Sequence, residues 1–457
     1  MNEPNVPHSV LFPDLFHKAV LATFDQPHAS SDGGALLLKA ADRRLGLIAA
    51  LTARLGDPRM PSKVTHPIGD LLAQRVFAIG CGHPDGNDAD RLAEDPIHKL
   101  LLDRDPIDGA RLASQPTISR FEQATSPRSL YRLGEALADT VIGRHQRRQR
   151  KARLITIDVD VTADPTHGAQ QLTFFNGFDD TWCYLPLVAT LTFDEEARQY
   201  LVAAILRPGN VAATTGVQGL LRRLIPKLWR AFPHARLRVR LDGGFAAPEI
   251  FDELEAAGVE YVVAIAKNAV LEMIAEPHLI PLRPEVAATH ATATSYHDTR
   301  YQAGTWTAPR RVVIKAEVVW HHGREARDNP RFVITNLRQT PEWIYTQVYC
   351  ARGDSENRLK ELHHALALGR TSCTRFWANQ LRVTMTAAAY VLLQELQLRA
   401  DRTALAGAQV ARLRQALLTI GVHVVRSVRR IVLHFPQSHP EAGIWMHLAR
   451  DLAAART

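Results

Sequence analysis

Cysteine is scarce. The 457 residues contain four, Cys81, Cys183, Cys350 and Cys373, with no CxxC or CxxH spacing. That excludes a cysteine-rich zinc cage and a disulfide scaffold, and it suits a reducing compartment. Aromatics are thin at 7%. No apolar run approaches the roughly 20 residues that a membrane span requires. The opening MNEPNVPHSVLFPDLF lacks the basic start and apolar stretch of a secretory leader. A cytoplasmic protein is expected.

What the chain has instead is apolar residues at 46%, enough for more than one core, and an excess of positive charge. Lys plus Arg number 55 against 47 Asp plus Glu, a net charge of +8, with a pI near 9.4. Arg outnumbers Lys. Such a balance favours a polyanionic partner such as nucleic acid, with guanidinium groups suited to bidentate phosphate contacts.

Periodicity divides the chain. Residues 1–150 read as helical, from ALLLKAADRRLGLIAAL to SPRSLYRLGEALADTVIGRH, and end in the basic run RHQRRQRKAR. The short helix from Ser114 and the longer one after it leave a DNA-reading pair open beside an ordinary helix pair. Residues 151–268 alternate strands (LITIDVDVT, YLPLVATLTF, YLVAAILRPG, RLRVRLDGGF, YVVAIAKN) with helices, a mixed α/β core. Residues 269–345, rich in Thr, Tyr, Trp and Val, read as inserted β-hairpins. Residues 346–400 return to helix, with RFWANQLRVTMTAAAYVLLQELQLR read as an amphipathic helix with a strongly apolar face. Residues 401–457 read as a helix followed by one strand, VHVVRSVRRIVLHF.

Carboxylates stand out within this frame. Asp158 and Asp160 are two apart on one strand, so both point to the same face of an otherwise apolar run. Burying them is costly unless a cation meets them. Asp242 ends another strand at a Gly-Gly turn. Glu356 lies in YCARGDSENRLKELHH, where Arg352, Glu356, Lys360 and His363 share one face of a helix expected to begin near Asp354. Three acidic groups from two strands and a helix form an oxygen cage suited to Mg²⁺. Two such ions about 4 Å apart serve phosphodiester displacement.

The blocks DVDVTADPTHG, LRPGN, VRLDGGFAAPEIFDELEAAGVEYVVAIAKN, PRFVITNL and YCARGDSENRLKEL resemble the DDE transposases of bacterial insertion sequences, and among them the group numbered thirteen-eighty. The likeness runs from SSDGGALLL near residue 31 to the closing RRIVLHF. It implies an RNase H-like mixed-sheet catalytic core, shared with retroviral integrases, interrupted by a β-rich insertion and preceded by a helical N-terminal DNA-binding and dimerisation region. It implies cleavage and strand transfer at terminal inverted repeats with two Mg²⁺ ions, for which Mn²⁺ may substitute. The partners would be double-stranded DNA and a second copy of the chain or a larger synaptic assembly, associated with the nucleoid when bound. The implied catalytic and metal-binding set is Asp160, chosen over Asp158 by its spacing to Thr162, with Asp242 and Glu356. Tyr349 and Arg352 carry over as DNA contacts. His363 stands where the family has Lys, with Lys360 one turn earlier as the substitute. Trp306, with Trp320 beside it as a candidate, would stack on a flipped base. A plain metal-dependent nuclease and a catalytically decayed DNA-binding protein are the rival readings.

Overall fold

The computed structural model describes residues 9–12, 17–18, 20–149 and 151–454, with 9–12, 354 and 355 by backbone only. Most of the opening MNEPNVPHSVLFPDLF, where a leader would stand, and Arg150 of the basic run lie outside the described residues.

Helices α1 (Leu36–Leu45) and α2 (Leu47–Thr52) are one apolar stripe broken at Gly46, whose φ of 71° ends the first helix in the left-handed region. Then come α3 (Ile68–Cys81), α4 (Gln115–Ala124) and α5 (Pro127–Arg148), the last capped by the Ser126 hydroxyl. The glycines of SSDGG permit close approach: a β-carbon on Gly34 would lie 1.6 Å from the Leu417 carbonyl oxygen. The basic run begins within the last turns of α5 and is partly consumed inside the fold, since Arg144 pairs with Glu395 at 2.7 Å and Arg148 with Glu196 at 2.8 Å.

The central sheet is mixed. β1 (Leu154–Val161), β2 (Leu187–Phe193) and β3 (Tyr200–Ile205) form an antiparallel meander. Helix α6 (Val217–Ala231) crosses to β4 (Arg236–Leu241), and α7 (Pro248–Ala256) to β5 (Glu260–Ile265). Both of these strands run parallel to β1. The alternation read from the sequence accounts for this half well.

The next stretch differs from expectation. Residues 269–289 are not hairpin but two helices, α8 (Ala269–Leu279) and α9 (Leu282–Thr289). The strands that follow, β6 (Ala293–Tyr301), β7 (Arg310–Val319) and β8 (Arg331–Thr335), extend the same sheet, because β8 pairs with β5. The sheet order is β6-β7-β8-β5-β4-β1-β2-β3.

A helical path then begins at Pro341, well before Asp354. It passes through wider turns at Ile344–Tyr349 into α10 (Gly353–Lys360). Helix α11 (Phe376–Arg399) is buried on nearly every side rather than amphipathic. Its polar residues close the sheet's open edge at β3. Gln380 accepts from Leu206 N at 2.6 Å and donates to Ala204 O at 3.2 Å, and Gln394 bridges Leu201 N and Gln199 O in the same way. The closing segment read as one strand is a hairpin, β9 (Val422–Arg426) and β10 (Ile431–His434), followed by helix α12 (Ala442–Ala453). No described helix is long and apolar enough to cross a membrane.

The buried His145 imidazole is stacked on Phe193 at 4.5 Å between ring centroids. Burial, then Arg144 and Arg148, push its pKa from 6.5 down to about 2. The unfolded chain therefore binds a proton that the folded chain refuses between those values, so stability rises with pH across this window and levels off above it. His145→Phe is expected to flatten the acid limb by about 1.4 kcal/mol per pH unit relative to the parent. Urea unfolding at about pH 4, 5 and 6 checks this; parallel limbs for the two chains would refute it.

Candidate active site

Register brings the carboxylates together. In the parallel β1–β4 pair Asp158 lies opposite Arg240. Two residues further on, at the carboxyl ends of the same strands and on the same face, come Asp160 and Asp242. The inner pair is oppositely charged and satisfied. Arg240 donates Nε and a terminal NH₂ to the two Asp158 oxygens, both at 2.7 Å, while Gln199 adds a bond at 2.9 Å. The remaining guanidinium nitrogen reaches the Val348 carbonyl at 3.1 Å, tying the sheet to the segment that leads into α10.

The outer pair is like-charged. One nitrogen of Arg352 stands between them, 2.9 Å from Asp160 Oδ2 and 3.3 Å from Asp242 Oδ2. Each aspartate's other oxygen is held by backbone, Asp160 Oδ1 by Val161 N at 2.9 Å and Asp242 Oδ1 by Gly244 N at 2.8 Å. Their aim is thus fixed. Among the described residues Arg352 Nε is buried with no hydrogen-bond partner.

Glu356 is exposed on α10, one turn after Arg352. The three carboxylates do not close into a group whose ligand atoms all lie within 4.8 Å of one another; among the described residues only Asp32, His83 and His98 do so. That second cluster belongs to the N-terminal helical region. Asp32 Oδ2 takes His83 Nε2 at 2.7 Å and His98 Nε2 at 2.9 Å. Arg91 donates to His83 Nδ1 at 2.9 Å, which leaves the Nε2 proton facing Asp32. Burial would raise the Asp32 carboxyl, but the histidine hydrogen bonds outweigh it and hold it far below its usual range. This is a buried hydrogen-bond node, made of other residues than the pair at Arg352.

The remaining expected contacts divide. Tyr349 is half-buried against Tyr345, at 5.3 Å between ring centroids, and burial raises its phenol pKa. Lys360 is exposed. His363 turns inward, its Nε2 2.9 Å from Thr162 Oγ1, two residues past Asp160. Burial, then His364, lower its pKa. Trp306 does not suit base stacking: it is 7% exposed, edge-to-face with Phe251 and Tyr301, and lies under the Arg310 guanidinium. Trp320 packs beside His290 and His322. The exposed rings instead include Phe178 and Trp182, on a hairpin that leaves the carboxyl end of β1. The cluster in FFNGFDDTW was the signal for it. Arg240 escaped the sequence reading because RLRVRL does not reveal which arginine faces a carboxylate.

The family described as transposase DDE domain, group 1, matches residues 12–457. The chain belongs to the DDE transposases. That family implies nuclease and transesterase activity on DNA. Among solved structures, the transposase resembles one titled a cryo-EM structure of the piggyBac transposase synaptic complex with hairpin DNA. The identity is 11% over 84% of this chain and 80% of that one, with a TM-score of 0.41. No curated protein sequence matches the chain.

Carboxylate oxygens that converge on a single cation are the donors a hard divalent ion takes, so the residues at Arg352 fit such an ion. An ion there would supply Lewis acidity to a phosphodiester. Arg352 offsets the repulsion between the two aspartates in its absence.

Proposed function

We propose that this transposase binds the terminal inverted repeats of a bacterial insertion sequence of group thirteen-eighty and performs Mg²⁺-dependent cleavage and strand transfer, with Asp160, Asp242 and Glu356 as metal ligands. The observation that carries this reading is the pair Asp160 and Asp242 at adjacent parallel strand ends, aimed at one shared cation. Asp158 is already spent on Arg240, which favours Asp160 as the first ligand. Glu356, one turn after Arg352 on α10, would be the third ligand.

The strand order β3-β2-β1-β4-β5, with an antiparallel meander followed by two helical crossovers, supports an RNase H-like core. Double-stranded DNA is the partner, met near the site by Tyr349, Arg352, Lys360 and His363; residues 1–150 carry repeat recognition, and the active form is a dimer or larger synaptic assembly in the cytoplasm. Base stacking by Trp306 is not part of the proposal, since its ring is enclosed.

With a plasmid carrying the repeats that flank the gene, the full chain is expected to nick at the repeat ends in Mg²⁺ or Mn²⁺. A chelator should abolish nicking, while gel-shift binding of the ends persists because phosphate contacts dominate affinity. Metal-independent nicking, or none with intact end binding, would overturn the catalytic reading; the latter would favour a decayed DNA-binding protein.

A further inference from the structure

The hairpin formed by β9 and β10 is not used by the site above. It is fixed at its root and again at the neck of its turn. Val422 and His423 pair with Ser30 and Ala29, and Val424 N donates to His28 O at 2.8 Å. Arg426 bridges Asp105 at 2.8 Å and Asp108 at 2.5 Å, on the turn that precedes α4. Its tip is also closed, since Ser427 donates N–H and Oγ–H to the Arg430 carbonyl at 2.9 and 3.2 Å. The arm is therefore a defined projection rather than a loose loop.

The acidic partners, Asp105 and Asp108, are engaged by Arg426 at the neck of the turn, and the sequence from Val422 to His434 itself contains no acidic residue. At the tip Val428 is fully exposed, and Val425 and Ile431 are exposed behind it. Arg429 and Arg430 are exposed, and among the described residues their side chains make no ion pair or hydrogen bond. Two arginines left without an acid beside an apolar tip on a two-stranded support fit a groove of duplex DNA, where arginine meets the negative potential and an apolar side chain meets sugar and base edges. A whole two-stranded ribbon fills a major groove; a single projecting turn fits the narrower minor groove.

We infer that the Ser427–Arg430 turn enters the minor groove of the bound duplex, with Arg429 and Arg430 as its cationic contacts. This rests on the transposase reading and adds a contact on the C-terminal arm, outside the helical region to which recognition is ascribed.

The test compares the full chain with Arg429→Ala/Arg430→Ala on a terminal-repeat duplex. Binding is measured against salt concentration, and methylation protection is read at adenine N3 in the minor groove and guanine N7 in the major groove. Loss of two phosphate-neutralising cations should reduce the slope of log affinity against log salt by about 2. A patch of adenine N3 protection should disappear with guanine N7 protection unchanged, and the thermal midpoint should stay put because, among the described residues, the two arginine side chains make no ion pair or hydrogen bond. An unchanged slope and footprint in the double variant, with the parent chain binding normally, overturns this inference alone. Loss of guanine N7 protection instead overturns the minor-groove placement. Failure of the parent chain to bind duplex DNA overturns both this inference and the function it rests on.

Discussion

Asp158→Asn is expected to destabilise the chain rather than disable a site. The residue is 2% exposed and accepts two charged hydrogen bonds from Arg240 and one from Gln199. Removing one partner of a buried pair costs about 3–5 kcal/mol, because the other charge is left in a low-dielectric interior. Against a typical total of about 5–15 kcal/mol, that is a large fraction. Arg240→Met should cost a similar amount. The double change Asp158→Leu/Arg240→Met should recover much of the loss, since apolar replacement of both partners removes the stranded charge. Urea unfolding of the four chains checks this. If Asp158→Asn keeps the parent midpoint but abolishes cleavage, Asp158 rather than Asp160 is the first metal ligand.

Asp160→Ala and Asp242→Ala should behave in the opposite way. Either change leaves Arg352 paired with the remaining aspartate, so the fold is kept. Loss of a metal ligand forfeits several kcal/mol of transition-state charge stabilisation, so nicking should fall by about 10³-fold or more. Glu356→Gln should match them, keeping shape while removing the charge. End binding should change little or rise slightly, because a negative charge near a phosphate has gone. Single-turnover nicking and gel shifts on the same preparations separate the two effects. Nicking within tenfold of the parent by any one variant removes that residue from the proposed set.

Much of the core was legible because its signals are local. LITIDVDVT alternates as a strand, and the helices between strands carry apolar stripes and caps that single residues specify. Deciding between Asp158 and Asp160 was not a local matter. Both point to one face, and only the register with β4, which sets Arg240 opposite Asp158, distinguishes them physically. Helices α8 and α9 were hidden because the Thr- and Val-rich strands after them set the character of the whole segment, and Pro277 sits inside α8. The closing hairpin read as one strand because RSVRR has no Gly, Asn or Pro to announce a turn; the Ser427 hydroxyl and amide make it instead. Gln380 and Gln394 serve the unpaired edge of β3, a partner that helical periodicity cannot reveal, so α11 is buried where an amphipathic helix was expected.

The central claim is that carboxylates at Asp160, Asp242 and Glu356 direct metal-dependent joining of DNA, not merely its cutting. The most direct measurement follows a labelled terminal-repeat duplex with a free 3′-hydroxyl, incubated with the full chain, Mg²⁺ and target plasmid. Labelled strand covalently joined to plasmid is expected with the parent chain and absent with Asp160→Ala at equal end binding. Nicked DNA without joined product from the parent chain, or joined product undiminished in Asp160→Ala, would contradict it.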